Sequence, residues 1–100
     1  MKPVQFHPEA RAELRAAARY YESQQKGLGR RFLAAVRDGV NRVQSFPLAH
    51  RTVEEDVRQC RTWRFPFGLL YRVTPERFEI IAVMHLHREP GYWKRRLRAD

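Results

Sequence analysis

Apolar positions in the first half of the chain recur every three or four residues, and from about residue 50 onward they alternate. In HPEARAELRAAARYYESQQ, Ala10, Leu14, Ala17 and Tyr21 stand at offsets 0, 4, 7 and 11, one stripe of a helix. Pro8 suits the first helical position and Glu9 the positive end of the helix dipole. Alanine dominates this stripe, so its partner packs closely. Phe32, Val36, Val40 and Val43 keep helical spacing through RRFLAAVRDGVNRVQSF, and Pro47 marks the stop. Gly27 and Gly29 of KGLG supply the turn, which makes the two helices an antiparallel hairpin.

Ahead of the hairpin, Val4–Phe6 reads as a short strand. Behind it, three more strands are expected at Val57–Trp63, Phe67–Val73 and Arg77–Leu86, the last two joined by a tight turn at TPER. Phe67, Leu69, Tyr71 and Val73 share one face, with the Tyr71 ring turned to the helices and its hydroxyl near a polar partner. Phe78, Ile80, Ala82 and Met84 are expected on one face of the last strand, while Ile81 and Val83 make the other apolar too. A strand apolar on both faces is covered on both. The expectation is an α+β fold in the order β-α-α-β-β-β, a helical hairpin on a small, mostly antiparallel sheet. Residues 1–100 form a single domain, with no repeat or linker.

Charge changes the picture more than composition does. The formal net charge is +9, and only Lys2, Lys26 and Lys94 of the 20 basic residues are lysines, which leaves 17 arginines. Such a surface calls for an anionic partner, either nucleic acid or an acidic protein, and arginine serves both. Mean hydropathy is −0.69, and no apolar run approaches the ~20 residues that span a bilayer. The N-terminal MKPVQFHPEA lacks the apolar region of a signal peptide, so no membrane role and a cytoplasmic location are expected. Cys60 is the lone cysteine and reads as a small buried side chain.

The chemistry concentrates in MHLHREPGYW, residues 84–93. His85 and His87 share a strand face at a spacing that suits a metal, but no third ligand is in sight, so neither a metal nor another cofactor is expected. Arg88 follows the strand end, with Glu89 as its local partner, and is a candidate for binding an external anion. Pro90-Gly91 turns the chain, and Tyr92 and Trp93 fold back onto the sheet edge. Arg11, Arg15 and Arg19 form a row at i, i+4, i+8 on the first helix, a surface for an acidic segment or simply for solvent. The basic tail WKRRLRAD ends either frayed or as a short helix.

FHPEARAEL, GLGRRF, CRTWRFPFGLLYRV and IIAVMHLHREPGYWKRR, in this order, resemble the RelE/ParE superfamily of type II toxin–antitoxin toxins, most of all its ParE-like branch. The resemblance covers nearly the whole chain. It implies a small basic toxin silenced by an antitoxin whose acidic C-terminal segment folds on binding. Toxins of the RelE branch cut mRNA on the ribosome with a cluster of lysines and arginines and a C-terminal tyrosine. ParE-like toxins inhibit DNA gyrase and lack much of that set.

Metal-free RNA cleavage needs a base, cations for the phosphorane charge and an acid for the leaving oxygen. In a nuclease of this sequence, Arg61, Arg64 and Arg88 would clamp phosphate and Tyr92 would serve as the acid. Between Leu48 and Arg64, however, there is no lysine, and Glu54, Glu55 and Asp56 stand there instead. The sequence therefore favours a gyrase inhibitor with Arg88 and Trp93 at the target and Arg11, Arg15 and Arg19 at the antitoxin. A ribosome-dependent endoribonuclease and a non-toxic antitoxin-binding module stay open.

Overall fold

The computed structural model describes residues 2–98. β1 (Val4–Phe6) leads into α1 (Pro8–Gln24), α2 (Leu28–Ser45), β2 (Thr52–Glu54), β3 (Val57–Arg61), β4 (Phe67–Val73), β5 (Phe78–His85) and a 3-10 turn at Lys94–Leu97. The sheet order is β1-β5-β4-β3-β2. β1 runs parallel to β5 and the other neighbours are antiparallel. The α+β fold is the expected one, with β2 as an addition. Glu55 turns β2 into β3 with φ of 45°, and three successive carboxylates hid that hairpin from any reading by alternation. β3 stops at Arg61, two residues short of expectation, where the Thr62 hydroxyl turns to the Phe65 carbonyl in the connecting loop as well as to the Phe67 carbonyl at the start of β4.

Local chemistry sets the helix ends. The His7 ring accepts the Glu9 amide through Nδ1 at 3.0 Å, capping α1 just ahead of Pro8. Gly27 takes the left-handed conformation, φ 88°, before α2. Gly29 lies inside α2, not in the turn as expected, and a Cβ there would sit 2.6 Å from the Ala18 carbonyl oxygen. Glu22 of α1 accepts the amides of Gly27 and Gly29 at 2.9 and 3.0 Å. Those two bonds hold its carboxyl below the usual range. One helix thus caps the other.

Both helices lie on one face of the sheet. Ala10, Ala17, Phe32, Val36 and Val43 pack there on Cys60, Leu69, Tyr71, Phe78, Ile80 and Val83. Tyr71 is fully buried, and its hydroxyl donates to the Pro47 carbonyl at 2.6 Å. That leaves the His50 Nδ1, 3.1 Å away, to donate to the same oxygen. Burial pushes the Tyr71 hydroxyl up to about 12. On the opposite face Val57, Leu70, Ile81, Ala82 and Trp93 form a second cluster, closed by Tyr92 and Leu97.

The expected face assignment in β5 fails at one point. Leu70 pairs with Ala82 and Tyr71 with Ile80, so Ile81 has no opposite residue. That bulge moves every later side chain to the other face. Val83 therefore joins Phe78 and Ile80 under the helices, while Ala82 and Met84 face away with Ile81. His85 consequently lies on the helix side, edge-on to Phe67 with centroids 5.2 Å apart.

Candidate functional site

On the sheet face away from the helices, Val57, Gln59 and Arg61 alternate along β3, so Arg61 is aimed to the side that Trp93 covers. A cavity of about 310 Å3 opens there between β2 and the C-terminal segment. Val53, Leu70, Met84, Leu86 and Trp93 give it an apolar lining, while Arg51, Arg61, Arg88 and Lys94 surround it with cations. Lys94 Nζ meets Glu54 Oε1 at 3.3 Å, and Arg88 Nε meets Glu89 Oε1 at 2.9 Å. Arg51 and Lys94 were not among the candidates from sequence.

Of the four residues of the nuclease reading, Arg61, Arg88 and Tyr92 come to one region of the sheet face and Arg64 stands apart. Arg61 and Arg88 share the cavity. Arg64, with φ of 72°, instead lines a groove of about 680 Å3 with Tyr21, Leu28, Trp63 and Phe65. Tyr92 lies under the Arg88 guanidinium, 3.8 Å from ring centroid to Cζ, and its hydroxyl donates to Glu13 Oε2 at 2.7 Å. Burial first, then the Glu13 carboxylate, push that hydroxyl well above the ordinary tyrosine value. A phenol so committed is a poor acid for a leaving group.

Trp93 is 4% exposed. It belongs to the floor of the cavity and packs onto the sheet face, not the sheet edge as expected. Its ring is buried against Leu70, Ile81 and Ala82, and what it presents to the cavity is the floor. Arg11, Arg15 and Arg19 are all exposed on α1. Arg11 lies over the Phe6 ring at 5.0 Å and flanks, with Arg37, a groove of about 370 Å3 lined by Leu14, Leu33 and Val40. His85 Nδ1 accepts the His87 amide at 3.1 Å. Among the described residues no group of three or more histidine, cysteine or acidic side chains is placed to hold a metal.

Sequence reasoning missed Glu13 and Arg96, which anchor the C-terminal segment. The Glu13 carboxylate accepts from the Val83 amide at 3.0 Å and from both Arg96 Nη atoms at 3.0 and 2.9 Å, besides the Tyr92 hydroxyl. Arg96, its side chain 4% exposed, also donates to the Ile81 carbonyl. The signal was available for Glu13: it stands three residues after Ala10, an acid on the apolar side of α1. Arg96 carried none, since it lies in a basic run.

No helix among the described residues is long and apolar enough to cross a membrane. The family model for the ParE toxin of type II toxin–antitoxin systems (parDE) matches residues 4–90. A solved structure described as the chromosomal ParDE TA system from P. aeruginosa contains a chain of similar fold, with a TM-score of 0.64 and 24% identity. The match covers 87% of this chain and 98% of that one. No curated protein matches the chain.

Proposed function

Since the chain belongs to the ParE toxin family of type II toxin–antitoxin systems, we propose that it acts in the cytoplasm by binding and inhibiting DNA gyrase, and that a cognate antitoxin neutralises it. The observation that carries the choice over RNA cleavage is the Tyr92 hydroxyl, committed to Glu13 at 2.7 Å. The one tyrosine suited by sequence to be the acid is thereby tied into the fold, and Arg64 lies apart from Arg61 and Arg88. Glu55 and Asp56, exposed in the turn that follows Glu54 at the rim of the cavity, add charges that repel phosphate. Inhibition by protein contact requires no such constellation.

The antitoxin reading rests on the exposed row of Arg11, Arg15 and Arg19 and on the apolar groove beside Arg11 and Arg37. An acidic segment, disordered alone, would bury its apolar side in that groove and set carboxylates against the arginines. Arg88, 47% exposed, is the target-facing cation of this proposal.

Purified protein run in gyrase supercoiling and cell-free translation assays tests the choice. Supercoiling should be inhibited, and Arg88→Ala should weaken inhibition to the extent that this arginine contacts the target. Clean mRNA cuts in the ribosomal A site, lost in Arg88→Ala at unchanged stability, would establish the nuclease instead. Activity in neither assay, with antitoxin binding intact, would leave a partner-binding module.

A further inference from the structure

Arg51 and Arg61 flank the sheet-face cavity, and neither pairs with a carboxylate among the described residues. The other two cations there are already matched, Lys94 by Glu54 and Arg88 by Glu89. Below them the floor is apolar, with Leu70 and Trp93 buried and Val53 and Met84 half-buried. An occupant therefore has to bring negative charge to the Arg51–Arg61 side and an apolar body to the floor.

A polynucleotide meets the first demand and conflicts with the surroundings. Its closely spaced phosphates would face Glu55 and Asp56, exposed in the adjoining hairpin turn and without a cation partner among the described residues. A polypeptide can place one carboxylate on the unpaired arginines and keep further charge away from the acids. The Lys94–Glu54 pair shows that a carboxylate side chain is already accommodated at this rim. A volume of about 310 Å3 stands at the low end for a ligand pocket, room for one or two side chains, not a folded element.

We propose that this cavity docks a segment of the target protein presenting one carboxylate beside a large aliphatic or aromatic side chain. The carboxylate bonds the Arg61 guanidinium with Arg51 in support, and the apolar side chain covers Leu70, Met84 and Trp93. The inference rests on the reading that the chain acts through protein contact, and it names the chemistry of that contact.

The chain holds two tryptophans, and Trp63 is 62% exposed, so Trp63→Phe leaves Trp93 as sole reporter at the cavity floor. Three probes are titrated into that protein: a blocked peptide of alternating glutamate and leucine, its glutamine counterpart, and a ribo-oligonucleotide of equal length. The glutamate peptide should give a saturable change in Trp93 emission. Affinity should fall roughly tenfold for the glutamine peptide, and again when Arg61→Gln or Arg51→Gln is introduced at unchanged melting temperature. No saturable change with the glutamate peptide, equal binding of both peptides, or tighter binding of the oligonucleotide overturns the inference. The titration reads the cavity itself, so an inert parent in the supercoiling assay would sink the gyrase reading alone. Full gyrase inhibition retained in Arg61→Gln would sink the cavity inference alone.

Discussion

The Tyr92 hydroxyl and the Glu13 carboxylate meet at 2.7 Å, although 79 positions separate them in the chain. Glu13 binds both Arg96 Nη atoms as well, so one side chain of α1 holds two residues of the C-terminal segment against the sheet. That segment covers Ile81 and Ala82 with Trp93 and Leu97 and forms one wall of the cationic cavity. Fold closure and site formation thus share one anchor.

Glu13→Ala should destabilise the protein by ~3–5 kcal/mol, because it strands the buried Arg96 guanidinium without its main partner. Glu9, 3.5 Å from Arg96 Nη2, places the expectation at the lower end of that range. Replacing both partners, Glu13→Leu with Arg96→Met, should recover much of the loss. Urea denaturation of the two variants beside the parent checks this, and a Glu13→Ala midpoint matching the parent would show the anchor to be inert.

Ile80 is fully buried opposite Tyr71, next to the bulge at Ile81. Ile80→Ala should cost ~2–5 kcal/mol, since a strand covered on both faces relaxes poorly around a cavity. Trp93→Ala should cost ~3–5 kcal/mol, whereas Arg88→Ala, losing an exposed pair with Glu89 and the stack on the Tyr92 ring, should cost ~0.5–2 kcal/mol. The order of the three melting temperatures is the measurement. Arg88→Ala melting below Trp93→Ala would contradict the packing described.

The two helical stripes and the alternation of β4 were legible because each buries a single face, so the pattern has a period to show. β5 offered no such frame. With Ile80, Ile81, Ala82 and Val83 all apolar and all buried, alternation cannot reveal where a residue is skipped. The bulge appears only once the Leu70–Ala82 and Tyr71–Ile80 pairs are known. Arg61 and Arg88 were found as candidates by residue type, yet Arg51 and Lys94 reach the same cavity through the β2 hairpin and the 3-10 turn. In sequence, Lys94, Arg95 and Arg96 look alike; in the fold one meets Glu54, one Glu9, and one is buried on Glu13.

Gly29→Ala should destabilise by ~1–3 kcal/mol, even though alanine is intrinsically the better helix former. Its Cβ would stand 2.6 Å from a backbone oxygen of Ala18, which yields only if the helices part. Gly39→Ala is the comparison: there the nearest atom is Leu69 Cδ1 at 3.0 Å, a side-chain tip able to shift. Gly39→Ala should therefore be the milder of the two by thermal melting. Equal losses would argue against a helix contact set by Gly29.

Acid should loosen the C-terminal segment before it unfolds the core. Glu9 accepts from both Arg95 Nη atoms at 2.7 Å. The Arg95 hydrogen bonds, aided by the Arg96 and His7 charges and opposed by desolvation, lower its carboxyl from 4.5 to about 2. A carboxyl depressed in the folded state contributes its stabilisation above the unfolded value of 4.5, and loses it as pH falls through about 2. Both partners are solvent-facing, so salt should weaken the contribution and the effect should show in the docking of residues 94–98, not in global melting. Carbon-detected NMR of the Glu9 carboxyl from pH 5 down to about pH 1, read beside the exchange protection of the Arg96 and Arg98 amides, which bond the Trp93 and Arg95 carbonyls, follows both events. The carboxyl should titrate far below an ordinary glutamate, and the protection of the two amides relative to an unstructured chain at the same pH should fall as it protonates. In Glu9→Gln the same amides should be weakly protected across the whole range, without the transition. A Glu9 carboxyl titrating near 4.5 would mean that Arg95 does not hold it in solution.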